Sequence, residues 1–235
     1  MTLSEVLKEL ESYGDANTKK TLMNHGAREP FFGVKVADLK KILKKTKKNH
    51  ELSLELYKTG NSDAMYLAGL MADEKKITEN DLESWAKAAY WSYLCDFAVP
   101  WVASETPFGF KLGLKWIQSD KENVACAGWA TLSSIASILP DEKLDIAKYS
   151  ELLDQVAKEI HGERNRVRMN MNRFIIAIGC FIPALTEKAK EIATKVGVVM
   201  VDMGGTSCKV PSANEYIDKV IAKGSLGKKR KEARC

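Results

Sequence analysis

Val124–Pro140 reads VACAGWATLSSIASILP, and Val167–Pro183 reads VRMNMNRFIIAIGCFIP. Set one above the other without a gap, they bring apolar residues together at Val124/Val167, Leu132/Ile175, Ile135/Ile178, Ile138/Phe181 and Leu139/Ile182. Both end on proline, at an offset of 43 residues. Forty residues before Pro140, the run Tyr93-Leu94-Cys95-Asp96-Phe97-Ala98-Val99-Pro100 ends the same way. Apolar spacings of three and four within each stretch predict amphipathic helices. The recurrence predicts a repeated helical unit.

A period near 40–47 residues is that of helix-pair repeats of the HEAT and armadillo type. Each pair buries its apolar face only by stacking on its neighbours, which bends the array into a solenoid with a concave inner surface. The expected fold class is therefore all-α, a curved solenoid of helix pairs, with an unrelated helical bundle as the alternative. Helical spacing also runs through Leu3–Tyr13, Lys35–Lys45, Asp63–Ala72, Asp81–Ala89, Tyr149–Ile160 and Arg164–Ile178. Thr78-x-x-Asp81 is a capping segment for one start. Alternating strand patterns are nearly absent; Val196–Val201 is the one short β-like run.

With 235 residues, 45% hydrophobic and 29% charged, the chain has ordinary globular composition. It is long enough to bury a large core without disulfide or metal staples. No apolar run reaches the length of a membrane span, and the N-terminus lacks the basic and apolar regions of a signal peptide. Five cysteines, none in a C-x-x-C pair, read as reduced thiols of a cytoplasmic protein and give no zinc motif. The three histidines are too scattered for a metal site. No nucleotide-loop or nucleophile-elbow pattern is present. The expectation is thus no metal, no cofactor and no membrane.

Charge is segregated. The net charge is +5, and the stretch from Ile221 to Cys235 carries all of that excess through Lys223, Lys228, Lys229, Arg230, Lys231 and Arg234 against Glu232. A second basic stretch, Lys35 to Lys48, has seven lysines against Asp38. Such segregation favours a polyanionic partner. Residues 1–223 read as one solenoid domain. Residues 224–235, with two glycines and no aromatic, read as a flexible basic tail.

Three constellations bear chemistry. Trp85, Tyr90, Trp91, Tyr93, Phe97 and Trp101 surround Asp96 in sequence. An acid among large rings can be desolvated and made electrostatically potent, and aromatic faces attract cations and stack on bases. From His161 to Arg173 a helix wheel gathers His161, Arg164, Asn165, Arg168 and Asn172 on one face beside an apolar arc. Arginine and amide donors suit phosphate oxygens. Asp202-Met203-Gly204-Gly205-Thr206 resembles a phosphate loop of sugar kinases and actin-like ATPases. Too little chain follows for that α/β domain, so it reads as a turn into a last helix near Ser212–Ala222.

The chain resembles the DNA alkylation repair family of HEAT-like proteins. Phe31-Phe32-Gly33-Val34-Lys35-Val36 is similar to its F-x-G-[IV] segment. Trp91-Ser92-Tyr93-Leu94-Cys95-Asp96-Phe97-Ala98-Val99-Pro100 is similar to its W-x-x-x-D-x-x-x-P segment, and Trp116-Ile117-Gln118-Ser119-Asp120 to its W-I-x-S-D turn. The resemblance implies a positively lined concave cleft for duplex DNA. In glycosylase members it implies hydrolysis of the N-glycosidic bond of cationic alkylated purines, with an aspartate stabilising charge on the sugar. Asp96 takes that place. Ser92 stands where the family has tryptophan, Cys126 falls at its next arginine, and Arg173 falls near its later cleft tryptophan.

Three readings follow. The first is a DNA-binding clamp that contacts phosphates of duplex or branched DNA through Trp91, Tyr93, Arg164, Arg168, Asn172, Arg173, Lys228, Lys229, Arg230 and Lys231. The second is an active glycosylase with Asp96 as its catalytic residue. The third is a protein-interaction solenoid.

Overall fold

The computed structural model describes residues 1–234. Thirteen α-helices are formed among them: α1 (Leu3–Ser12), α2 (Ala16–Asn24), α3 (Val36–Thr46), α4 (His50–Lys58), α5 (Ser62–Met71), α6 (Glu79–Ala88), α7 (Val99–Ser104), α8 (Gly109–Trp116), α9 (Glu122–Ile138), α10 (Ile146–Glu159), α11 (Asn165–Phe181), α12 (Thr186–Val196) and α13 (Ala213–Ala222). A π-helical turn, Leu94–Ala98, runs directly into α7. Local chemistry sets many of the starts. Thr2 and Thr78 close capping boxes with Glu5 and Asp81, and Asp15, Asn49, Asn61, Asp145 and Ser212 accept backbone N–H bonds as N-caps.

The helices form two layers. In the inner layer α5 packs on the π turn and α7, these pack on α9, α9 on α11, and α11 on α13. In the outer layer α4, α6, α8, α10 and α12 each cover an inner helix. This is the stacked-pair solenoid that the repeat predicts. Inner helices are enclosed, so α5 is buried along its whole length and α9 and α11 are buried over most of theirs. Trp129 meets Phe174 edge-on at 5.0 Å between ring centroids, tying α9 to α11. Among the described residues no strand forms and no single helix is long and apolar enough to cross a membrane. Of the β-like run Val196–Val201, Val196 ends α12 and residues 197–201 form no strand.

The three prolines of the repeat are not equivalent. Pro140 and Pro183 follow the residues that end α9 and α11, Leu139 and Ile182. Pro100 instead sits inside a helix, at the start of α7. The N–H of Val99 reaches back five residues to the Leu94 carbonyl. Pro100 then brings no N–H to the ladder, so the widened turn falls where the helix has lost a donor. The close fit of this turn on α5 requires Gly69: a Cβ there would lie 2.8 Å from the Ala98 side chain.

The end of the chain differs from the flexible tail expected for residues 224–235. Gly227 donates its N–H to the Cys180 carbonyl and Arg230 to that of Ser137. The Lys229 ammonium bonds the carbonyls of Ala136 and Phe181 at 2.8 and 2.7 Å and pairs with Asp141. Ala233 is buried, its N–H on Glu105, and Arg234 is buried between Glu74 and Glu105. The low apolar content was read correctly, but the anchoring is polar. The C-terminal ends of α9 and α11 present carbonyls that lack intrahelical partners, and a cation is favoured there. Cys235, the last residue of the expected tail, lies outside the described residues.

Candidate nucleic-acid interface

The π turn points the Asp96 carboxylate across to α11, where three residues on one helical face meet it. Arg173 Nη1 lies 2.7 Å from Oδ2, Arg166 Nη2 lies 3.3 Å from the same oxygen, and Asn170 donates to Oδ1 at 2.9 Å. The Cys95 thiol completes the set, 3.4 Å from Oδ1. The carboxylate side chain is only 1% exposed. The two guanidinium groups are more open, at 38% for Arg173 and 27% for Arg166, and Arg173 also lies over the Phe97 ring at 5.8 Å. A buried charge is tolerated when paired and hydrogen-bonded, and here four donors converge on two oxygens. The site therefore offers a cleft a pair of oriented cations rather than a free acid.

That cleft has a volume of about 830 Å³. Tyr66, Tyr93, Phe97 and Trp101 form its aromatic floor, and Arg166, Arg173, Lys209 and Arg230 bring positive charge to it. Its wall includes Asn24, His25 and Gly26 at the end of α2, Val36 of α3, and the segment 202–211. This segment is a strap held to α11. Asn165 exchanges two hydrogen bonds with the Asp202 backbone, at 2.8 and 2.7 Å, and Asn172 donates to the Pro211 carbonyl at 2.9 Å. Met203 Sδ lies 3.7 Å from Arg166 Nη1. The D-M-G-G-T sequence is part of this strap and leads to α13, as expected of a turn.

The residues singled out in the sequence scatter accordingly. Asp96, Tyr93, Arg173 and Arg230 line the cleft. Trp91 does not; it is a buried residue whose indole donates to Ser62 Oγ and whose ring stacks on Tyr93 at 4.6 Å. Asn172 is buried beneath the strap. Arg164 bonds the Ser119 carbonyl at 2.9 Å, securing the W-I-x-S-D turn to the start of α11. Arg168 bonds Asn165. Lys228 and Lys231 are exposed outside the cleft, and Lys229 is spent on the helix ends. Arg166 and Asn170 were missed. Their spacing with Arg173, three and four residues apart, is a single helical face, next to the face that carries Arg164 and Arg168.

Cys95, Asp96 and Cys126 bring one ligand atom each to within 4.8 Å of one another, all buried. The charges here disfavour a cation. Asp96 already holds two guanidinium groups, and the Cys95 thiol is pushed well above its ordinary pKa by its bond to Cys126, by burial and by the Asp96 charge. Metal binding needs the thiolate, which this surrounding opposes.

Comparison with known proteins agrees with the fold. A solved structure matches over 100% of both chains with a TM-score of 0.92 and 39% identity. It is described as belonging to a new family of proteins related to the HEAT-like repeat DNA glycosylases with affinity for branched DNA structures. Two uncharacterized proteins, Lin0241 of Listeria innocua and Lmo0209 of Listeria monocytogenes, are each 38% identical over 226 residues, covering 93% of this chain and 97% of theirs. The family model for DNA alkylation repair enzymes matches residues 6–192. With its stacked helix pairs and an aspartate at the centre of its cleft, this chain belongs to the DNA alkylation repair family of HEAT-like repeat proteins.

Proposed function

We propose that this protein binds branched DNA through the phosphate backbone, with Arg166 and Arg173 as phosphate contacts and Asp96 as the residue that orients them. The observation that carries this reading is the saturation of Asp96. A carboxylate has about four acceptor positions, and Arg173, Arg166, Asn170 and Cys95 occupy them. Stabilising a cationic sugar needs negative charge aimed at the reacting atom. Here that charge, though at the cleft, is buried and neutralised by two guanidinium groups. Cys126, at the position of the family's arginine, is buried and lends no phosphate contact. The affinity of the structural neighbour for branched DNA supports the same reading.

Binding is measured by fluorescence anisotropy on a three-way junction at several salt concentrations. The logarithm of affinity should fall linearly with that of salt. Arg173→Ala should weaken binding several-fold and flatten the slope by about 0.9, the value for one lost phosphate contact. A flat salt dependence in the wild-type protein rejects the reading. Release of free base from 7-methylguanine duplex, abolished by Asp96→Asn, would establish the glycosylase reading in its place.

A further inference from the structure

Six of the seven lysines of the first basic stretch divide by partner, the seventh, Lys35, standing at the N-cap of α3. Lys41 pairs with Asp38, Lys45 with Glu9 and Lys48 with Glu74. Lys40, Lys44 and Lys47 are exposed and have no acidic partner. On a wheel advancing about 100° per residue, Lys40 and Lys44 fall within about 80° of Val36 on α3, and Lys47 follows as the residue that ends the helix, with φ +57°. The buried face of Leu39 and Ile42 lies behind them, and Lys41, Lys45 and Asp38 continue the exposed arc beyond Lys44. Val36 lines the Asp96 cleft. The unpaired lysines therefore make a row that starts at the cleft rim and turns outward along α3 for about 16 Å, at 1.5 Å per residue. That length matches the rise of roughly five phosphates of one strand.

A solvated helix face ordinarily mixes the two signs. Lys40 and Lys44 are four residues apart on the helix, a spacing at which like charges repel and cost helix stability. The helix dipole offsets part of this cost at Lys44 in the last turn, but the acids that pair with α3, Asp38 and Glu9, are taken by Lys41 and Lys45. A phosphate backbone would offset it.

We infer that the lysine row of α3, Lys40, Lys44 and Lys47, is a second nucleic-acid surface that holds an arm of branched DNA leaving the cleft. This rests on the phosphate-binding reading of the cleft and deepens it: one arm lies against Arg166 and Arg173, and another diverges over α3. A linear duplex seated in the cleft has no diverging arm to follow the row as it turns outward.

The test compares Lys40→Glu/Lys44→Glu/Lys47→Glu with a control of equal charge change, Lys58→Glu/Lys87→Glu/Lys158→Glu, on exposed lysines of α4, α6 and α10. Both are measured on a three-way junction and on a linear duplex of the same arm sequence, after circular dichroism and thermal melts have established that both fold. The expected result is a loss of about tenfold or more on the junction for the α3 variant, with a salt slope flatter by about two. Duplex affinity should change no more than in the control. Equal losses on junction and duplex, or an α3 variant that matches its control on both, overturns the inference while leaving the cleft reading standing. Wild-type protein that binds neither DNA at low salt overturns both.

Discussion

Asp63 shows how much a single buried carboxylate can organise. It lies in α5, yet its two oxygens accept the N–H groups of Phe32, Gly33 and Val34 at 2.6, 3.0 and 3.1 Å. Burial pushes its carboxyl up, and the three backbone donors pull it back. The F-x-G-[IV] segment is thus a structural clasp. Gly33 has φ +83° and a Cβ there would fall 2.6–2.7 Å from Lys19 atoms, so no other residue fits. Asp63→Ala orphans three N–H groups, and at about 1–3 kcal/mol for each unsatisfied buried donor it should cost ~3 kcal/mol or more. Urea unfolding should show a lower midpoint at unchanged slope; an unshifted midpoint refutes the clasp. This partnership was not legible in the sequence, because donors and acceptor lie some thirty residues apart and are joined only when α5 stacks. Asp96 was legible, since six aromatic residues mark its neighbourhood. Its role was not, since the partners that saturate it come from α11.

Among elements, the long inner helices were the easiest to read and the short outer ones the hardest. α9 and α11 each show four turns of apolar periodicity, and Tyr149–Ile160 anticipated α10 closely. α2, α4, α8 and α12, at 8–11 residues, did not stand out, although α1, α3, α5 and α6, at 10–11 residues, did. The π turn was beyond reach because it inserts an irregular turn into an apolar helical pattern without altering the composition. The strap at 202–211 has almost no apolar signal, and its hold on α11 comes from Asn165 and Asn172. Asn165→Ala removes both bonds to the Asp202 backbone. Amide hydrogen exchange in the strap should accelerate severalfold, while α11 protection and the melting temperature change little, because local opening is governed by local contacts. Uniform acceleration across α11 as well would mean that the strap opens only with the helix.

At the scale of the whole molecule, the basic C-terminus was read for its charge, and charge alone does not say whether the partner is another molecule or the chain itself. The segment crosses from the ends of α11 and α9 to Glu105 at the end of α7 and Glu74 beyond α5, so it ties four successive inner helices of the solenoid. Glu74 makes this tie sensitive to acid. Burial raises its carboxyl, but the bond from Lys48 and the charges of Arg234 and Lys48 outweigh it and hold the pKa at about 2, below the ordinary 4.5. A carboxyl depressed in the folded state adds stability that is complete above the unfolded pKa and is lost as pH falls towards the folded one. Removing residues 225–235 deletes Arg234 and Lys229 and should lower stability at pH 7 by about 2 kcal/mol, less than the ~3–5 kcal/mol of breaking a fully buried ion pair, because Glu74 keeps Lys48. The gap between wild-type and truncated protein should then hold steady from pH 7 to about 5 and narrow between pH 4.5 and 2 as Glu74 takes up its proton. Paired urea titrations across that range test the point. A truncation that leaves neutral-pH stability untouched would return the tail to the role its charge first implied, and a gap that stays constant down to pH 2 would remove Glu74 from the tie.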